Sequence, residues 1–209
     1  VPFHLVPQKR EFFTLFVQAS ANARANARCL LELLEDWPGS RERLGEIREP
    51  ENEGDRLTHE VTQMVWARID SEAAQGDDLR DLVGVLLMLP ELERSADLAE
   101  HVAQRAVESL GVEMSPLSRG IIQRMTEVAL GMWRTAAEAY ADRTAQGVAL
   151  SEEDEEIDIL HERLTREVAT GAMPTAVAAQ VTLLARFYER LGDHAVNLAR
   201  RVGTFRADR

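Results

Sequence analysis

Aromatic residues make up only 5% of this 209-residue chain, cysteine occurs once, and basic side chains are outnumbered, with 24 Lys and Arg against 36 Asp and Glu. Each scarcity excludes something. The lone Cys29 cannot close an intramolecular disulfide, and no Cys/His cluster has zinc-finger spacing, so a reducing compartment is expected. A formal net charge of −12 argues against a nucleic-acid-binding face, because phosphate backbones are held by clustered Lys and Arg. It argues less strongly against an anionic membrane surface. The longest apolar stretch, Leu82 to Pro90, is far too short to span a membrane, and the opening VPFHLVPQKR has no signal-peptide core. No hairpin turn separates alternating β-branched runs, and no Gly-rich phosphate loop, nucleophile elbow or HExxH is present. A cytoplasmic, not membrane-spanning protein without strands is expected.

What is present favours helix. Apolar residues make up 45% of the chain, enough for a real core, and Ala, Leu, Glu and Arg dominate. Breakers divide the chain into six helical stretches. The first runs from about Lys9 to Asp36, ending at Trp37-Pro38-Gly39-Ser40, and the second from about Arg41 to Ile69. A polar insert, SEAAQGDD, precedes the third, which starts at Asp77 or Asp78 and runs to Leu110, where Gly111 stops it. Ser115-Pro116 opens the fourth, to about Gln146. Ser151, with Asp154 three residues on, reads as a capping box and starts the fifth, which reaches Thr170. Gly171 and Pro174 separate it from the sixth, Thr175 to Phe205. Long helices with short connections favour antiparallel bundles.

The chain also repeats itself. ELERSADLAEHVA, starting at Glu91, and FYERLGDHAVNLA, starting at Phe187, align with Glu93 on Glu189 and Asp97 on Asp193, both 96 apart (189 − 93 and 193 − 97). Upstream, Glu51 and Asp55 correspond to Asp154 and Asp158. A duplicated three-helix unit is expected, with residues 1–111 and 112–209 as its two copies.

Four acidic pairs at i, i+4 spacing recur in this duplication: Glu51/Asp55, Glu93/Asp97, Asp154/Asp158 and Glu189/Asp193. Such residues lie one turn apart on one helix face and repel unless a salt bridge, a shared proton or a metal ion neutralises them. Their phase places several on apolar stripes. Leu79, Leu82 and Leu86 continue onto Glu93, Asp97 and Glu100, while Leu150, Ile157, Leu164 and Val168 include Asp154 and His161. Carboxylates there are costly unless paired or ligated. Oxygen-rich sites suit Mg, Mn or Fe. The competing reading is a solvated face or salt-bridge network, with Arg94 and Arg190 reaching acids on neighbouring helices. The two halves are expected to form separate clusters, Glu51/Asp55 facing Glu93/Asp97 and Asp154/Asp158 facing Glu189/Asp193. His59, His101 and His194 read as surface or capping residues, and His161 is the best candidate ligand. Phe12, Phe13 and Phe16 read as core-packing, and Cys29 as buried.

The segment RFYERLGDHAVNLARRV, Arg186 to Val202, resembles the signature of the PhoU family, and LPELERSADLAEHVAQRA resembles its weaker first copy. Asp78-Leu79-Arg80 resembles the start of that helix in the family. The resemblance implies two three-helix bundles related by a pseudo-two-fold axis. It further implies a negative regulator of phosphate uptake and of the phosphate-starvation response, acting by protein–protein contact. The implied partners are a phosphate ABC transporter ATPase and a phosphate-sensing histidine kinase, with a location peripheral to the inner face of the membrane and room for a homodimer. Some members bind metal through acidic motifs of this kind, so iron, or another divalent metal (Mg, Mn, Zn), is implied at the four pairs. The first copy departs from the signature at Ser95, Ala96 and His101. The start, REFFTLFVQAS, is similar to accessory proteins of Pit-type phosphate transporters, which leaves that partner as an alternative. A di-metal carboxylate enzyme is the reading of another class. It calls for inward Glu plus Glu-x-x-His motifs, to which only Asp158-x-x-His161 comes near.

Overall fold

The computed structural model describes residues 43–71, 76–109, 114–141 and 147–207, together with scattered helical positions between 14 and 32. Five helices have defined ends: α1 (Arg43–Asp70), α2 (Asp77–Ser109), α3 (Pro116–Ala141), α4 (Gly147–Ala169) and α5 (Thr175–Ala207). They are the second to sixth stretches expected from the breakers. The ends of the first stretch, and Phe12, Phe13 and Phe16, lie outside the described residues, as does Gly111. The part that is described packs onto α1. A Cβ added at Gly54 would come within 3.1 Å of the Asn22 amide nitrogen, and Leu30 is fully buried. Cys29 is half-buried against the core rather than fully inside it.

Helix ends follow local chemistry with one exception. Gly171 adopts φ 71° and its amide bonds the Val168 carbonyl, a left-handed stop that a side chain would strain. The exception is α4, which begins at Gly147 and not at Ser151. Ser151 therefore lies inside the helix and not at its N-terminus. Burial of Leu150, which has no exposed surface, outweighs the local capping preference. Helix α2 runs through Pro90, whose missing N–H costs one backbone bond. Leu89 and Leu92 on either side are almost fully buried, and burying each contributes roughly 1.5–3 kcal/mol.

In the second repeat α3, α4 and α5 pack mutually. Trp133 on α3 donates from Nε1 to the Leu191 carbonyl on α5, and Thr126 shares a buried hydrogen bond with Tyr188. In the first repeat α1 packs on α2. The two repeats meet where α2 crosses α5 in antiparallel sense, and the buried residues of both halves form one connected core.

That crossing shows the duplication directly. Arg105 of α2 lies over the Phe187 ring of α5, 4.7 Å from its centroid. Arg201 of α5 reaches Glu91 of α2 at 3.3 Å. Positions 91 and 187 are equivalent under the 96-residue repeat, as are 105 and 201, so the two contacts are one contact seen from either end of a pseudo-two-fold axis. Their chemistry has diverged. At one end an Arg and the exposed His101 stack on an aromatic ring. At the other, the buried Glu91 carboxylate takes Arg201 and, at 2.8 Å, the buried His194 Nδ1. His194 is thus not the surface residue expected.

Truncating Glu91 to Ala strands His194 inside the interface, and urea unfolding should show a loss of about 3 kcal/mol. Arg105→Ala, which removes a cation–π contact and one hydrogen bond to the His101 carbonyl at the other end, should cost less, about 1 kcal/mol.

Candidate acidic sites

Helices α1 and α2 run antiparallel, and Arg48 on α1 donates from Nε to Glu100 on α2 at 3.0 Å. This register brings Glu51 and Asp55 opposite Glu93 and Asp97. Glu51, Asp55 and Asp97 each place one carboxylate oxygen so that all three lie within 4.8 Å of one another, a spacing that one cation can bridge. Glu93 lies close enough to Asp97 and Asp55 to feel both. In the second repeat Asp154 feels Asp193, Asp158 and Glu189 in the same way. The structure therefore brings the eight residues together as two clusters, one per repeat, in the pairing expected.

They are not buried as deeply as the apolar stripes imply. Glu51, Glu93, Asp97, Asp154 and Glu189 are half-buried, and Asp55, Asp158 and Asp193 are exposed. On α2 the stripe itself leads outward, with Leu82 buried and Leu79 exposed, whereas on α4 Leu150, Ile157 and Leu164 all stay buried. The clusters sit on the rim between two helices, not in the bundle interior where a di-metal enzyme site would lie. Partial burial still matters. Glu51, Glu93 and Asp97 are all held above the ordinary carboxylate range, first by desolvation and then by neighbouring acids, Asp55 foremost for Glu51 and Asp97, and Asp97 for Glu93. Asp154 is raised by the same two causes in the same order.

The clusters differ in their cations. In the first, Arg94 favours charge on Glu93 from an exposed position, and Arg48 does the same for Glu51. In the second, Arg186 pairs with Glu189, His161 Nδ1 stands 4.0 Å from Glu189, and Arg200 acts on Asp154. Each cluster is thus partly neutralised by the chain itself, the first also by His101 acting on Asp97. His161 is placed at that cluster, while His59 is exposed on α1 and His101 stacks on Phe187.

Two departures of the first copy from the signature also have local reasons. Gly192 lets α5 approach α4: a Cβ there would stand 3.3 Å from Asp154 Oδ1 and 3.5 Å from Met132 Cε. The equivalent Ala96 is buried, so the first copy accommodates a methyl at this position. Ser95 is buried, and its hydroxyl donates to the Glu91 carbonyl at 2.6 Å, so it needs no outside partner. Sequence reasoning missed Glu91 and Arg201, and it missed Glu100 as a contributor to the first cluster. A signal for Glu91 exists, because it is in phase with Met88, Ser95 and Leu98, all buried.

Comparison with known proteins agrees with this geometry. The family model for the PhoU domain matches twice, at residues 21–106 and 122–202. A phosphate-specific transport system accessory protein PhoU homolog of Rhizobium meliloti is 30% identical over 151 residues, covering 69% of this chain and 63% of that protein. PhoU homolog 2 of Mycobacterium tuberculosis is 36% identical over 153 residues, covering 70% of each. The crystal structure of PhoU from Pseudomonas aeruginosa superposes with a TM-score of 0.84 at 19% identity, covering 97% of this chain and 98% of that one.

Raised carboxyls mean that the native state binds protons before the unfolded chain does as pH falls. Their contribution to stability is fully present below the unfolded values and is lost as pH rises through the raised ones. In chelator, Asp97→Asn should therefore flatten the decline in stability across that window. It should also raise the melting midpoint at pH 7 by on the order of a few degrees. A melting curve that falls instead would mean Asp97 is held by favourable contacts.

Proposed function

This chain belongs to the PhoU family, and we propose that it is a non-catalytic regulator that restrains phosphate uptake and the phosphate-starvation response by binding other proteins. The observation that carries the reading is the double family match across two helical repeats whose interface repeats the same contact at both ends. The two relatives described above are named as accessory proteins of a phosphate-specific transport system. That favours a phosphate ABC transporter, through its ATPase, with a phosphate-sensing histidine kinase as the second partner, over a Pit-type transporter. Among the described residues no helix is long and apolar enough to cross a membrane, so membrane association runs through a partner, from the cytoplasmic side. A net charge of −12 repels free phosphate at long range and attracts basic partner surfaces, an effect that added salt weakens.

The acidic clusters hold divalent cations in this reading. The donor set fits: three carboxylate oxygens of Glu51, Asp55 and Asp97 converge within 4.8 Å, with Glu93 beside them. All are hard oxygen donors suited to Mg, Mn or Fe, and less to Zn. A bound cation would offset the desolvation and the neighbouring charge that raise Glu51, Glu93 and Asp97 and so stiffen the rim between α1 and α2. The second cluster has Arg186, His161 and Arg200 at hand.

Deletion of the gene should raise phosphate accumulation or switch on starvation genes while phosphate is plentiful. Uptake unchanged at both scarce and abundant phosphate would end the regulatory reading. Protein purified without a tag should carry divalent metal, and Asp97→Asn with Asp193→Asn should lower the metal content while leaving the helical signal intact. The change Glu189→Gln with Asp193→Asn should mimic deletion if the second cluster takes part in signalling.

A further inference from the structure

Large apolar side chains are exposed on one stretch of the molecule in a regular pattern. On α2, Leu79, Val83 and Leu87 are 39%, 43% and 50% exposed and follow one another at four-residue steps, one per turn. On α1, Trp66 is 53% exposed. These are not scattered surface residues. The register fixed by Arg48 and Glu100, and by Asp55 and Asp97, sets Trp66 level with the turn 82–86 of α2. Trp66 is five whole helical turns from Arg48 (66 − 48 = 18), whose guanidinium reaches across to α2. Leu79 is likewise five whole turns from Asp97 (97 − 79 = 18). Trp66 and Leu79 therefore lie on the same rim of the α1–α2 pair as the first acidic cluster, nearer the connection between the helices, while Val83 and Leu87 step about 40° and 80° round α2 from that line toward solvent. From Leu87 to Glu93 is six residues, about 9 Å along the helix.

We propose that this rim is a docking surface for a basic amphipathic helix of a partner protein. The partner's apolar side chains would cover Trp66, Leu79, Val83 and Leu87, and its Lys and Arg would run toward Asp55 and Asp97. The charge of the rim selects this occupant. A second copy of the chain carries the same acidic cluster and the same net charge of −12, so its approach is opposed at long range. An anionic membrane would be repelled in the same way. A basic helix is attracted by both features at once, and a rim that is apolar at one end and acidic at the other fixes its direction. One divalent cation in the cluster leaves it negative, since Glu51, Asp55, Glu93 and Asp97 all contribute. The second repeat offers no equal: Thr175 and Ala179 stand where the first has Leu79 and Val83, and of the three positions only Leu183 is large and apolar. The surface is thus a property of one repeat and gives a symmetric fold a single docking face.

This inference rests on the regulatory reading above, and one experiment separates the two. A photoreactive benzoyl-phenylalanine is placed at Val83 of the full chain in cells, with Ile159, an exposed apolar residue on α4, as the control position. The cross-linked peptide from position 83 should be a Lys/Arg-rich amphipathic helix of a phosphate-transport or phosphate-sensing protein. Cross-links to a second copy or to lipid, or a yield no higher than at position 159, would overturn the proposal. In parallel, Val83→Asp with Leu87→Asp should weaken binding of the captured partner by about tenfold or more. It should also release the starvation response at high phosphate, with circular dichroism unchanged. If deletion has a phosphate phenotype and this variant behaves as wild type, the docking surface is wrong and the regulatory reading stands. If deletion itself has none, that reading fails first.

Discussion

Around the Glu91 carboxylate, α2 of one repeat and α5 of the other are held at a fixed register, with His194 and Arg201 closing on it from α5. A buried carboxylate is a poor source of net stability, because its desolvation offsets much of what its partners return. Its value lies in discrimination. An apolar crossing tolerates sliding by a turn, whereas a carboxylate that must meet both a ring nitrogen and a guanidinium tolerates none. The same crossing sets where α1 and α4 pack on the outer flanks, and hence where the two acidic rims fall. The opposite end of the crossing, where Arg105 covers Phe187, carries the apolar version of the contact. One end therefore sets register and the other adds contact area.

The two repeats share a plan and differ in charge balance. Asp154 is crowded by Gly192 and has Arg200, His161 and Arg186 in its neighbourhood. The first cluster has Glu100 engaged by Arg48 and Gln104. Duplication gave two rims, and among the described residues only the first gathers three carboxylate oxygens within 4.8 Å of one another. The exposed apolar row of Leu79, Val83 and Leu87 is on that same side. Two independent departures from internal symmetry thus fall on one face, as expected of a molecule that presents one face to a partner.

Much of the architecture was legible because long helices announce themselves through breakers and because the repeat multiplies each signal. The ends at Asp77, Gly171 and Thr175 fall beside Gly76, Gly171 and Pro174, although Asp77 and Asp78, expected as caps, lie inside the helix that the Gly76 carbonyl opens. The start of α4 did not follow, since burial of Leu150 at tertiary level overrode a local cap at Ser151. The acidic pairs were readable as pairs, and their partnering across α1 and α2 followed from the duplication. Their depth was not, because a helical stripe extended in phase drifts from the core to the rim, as it does between Leu82 and Leu79. Glu91 and Arg201 were hidden for another reason. A charged residue on a buried face looks like a surface residue until its partner, 110 positions away, is known.

The half-buried rim is also a sensible place to couple stability to signal. Were the carboxylates fully exposed, solvent would screen their repulsion, and a cation or basic side chain would gain little by arriving. Were they deep in the bundle, they would take up protons or a permanent partner and could not respond at all. At intermediate depth the unliganded protein keeps a modest strain between α1 and α2, visible in the raised carboxyls. Whatever neutralises them stabilises the native state in proportion to its concentration relative to its affinity. A cation and a basic helix would then share one thermodynamic currency on the same pair of helices. Binding of either changes the other's affinity by an equal factor. Because both neutralise the same charge, the sign of that coupling is negative: the occupied cluster holds a basic partner less tightly than the empty one.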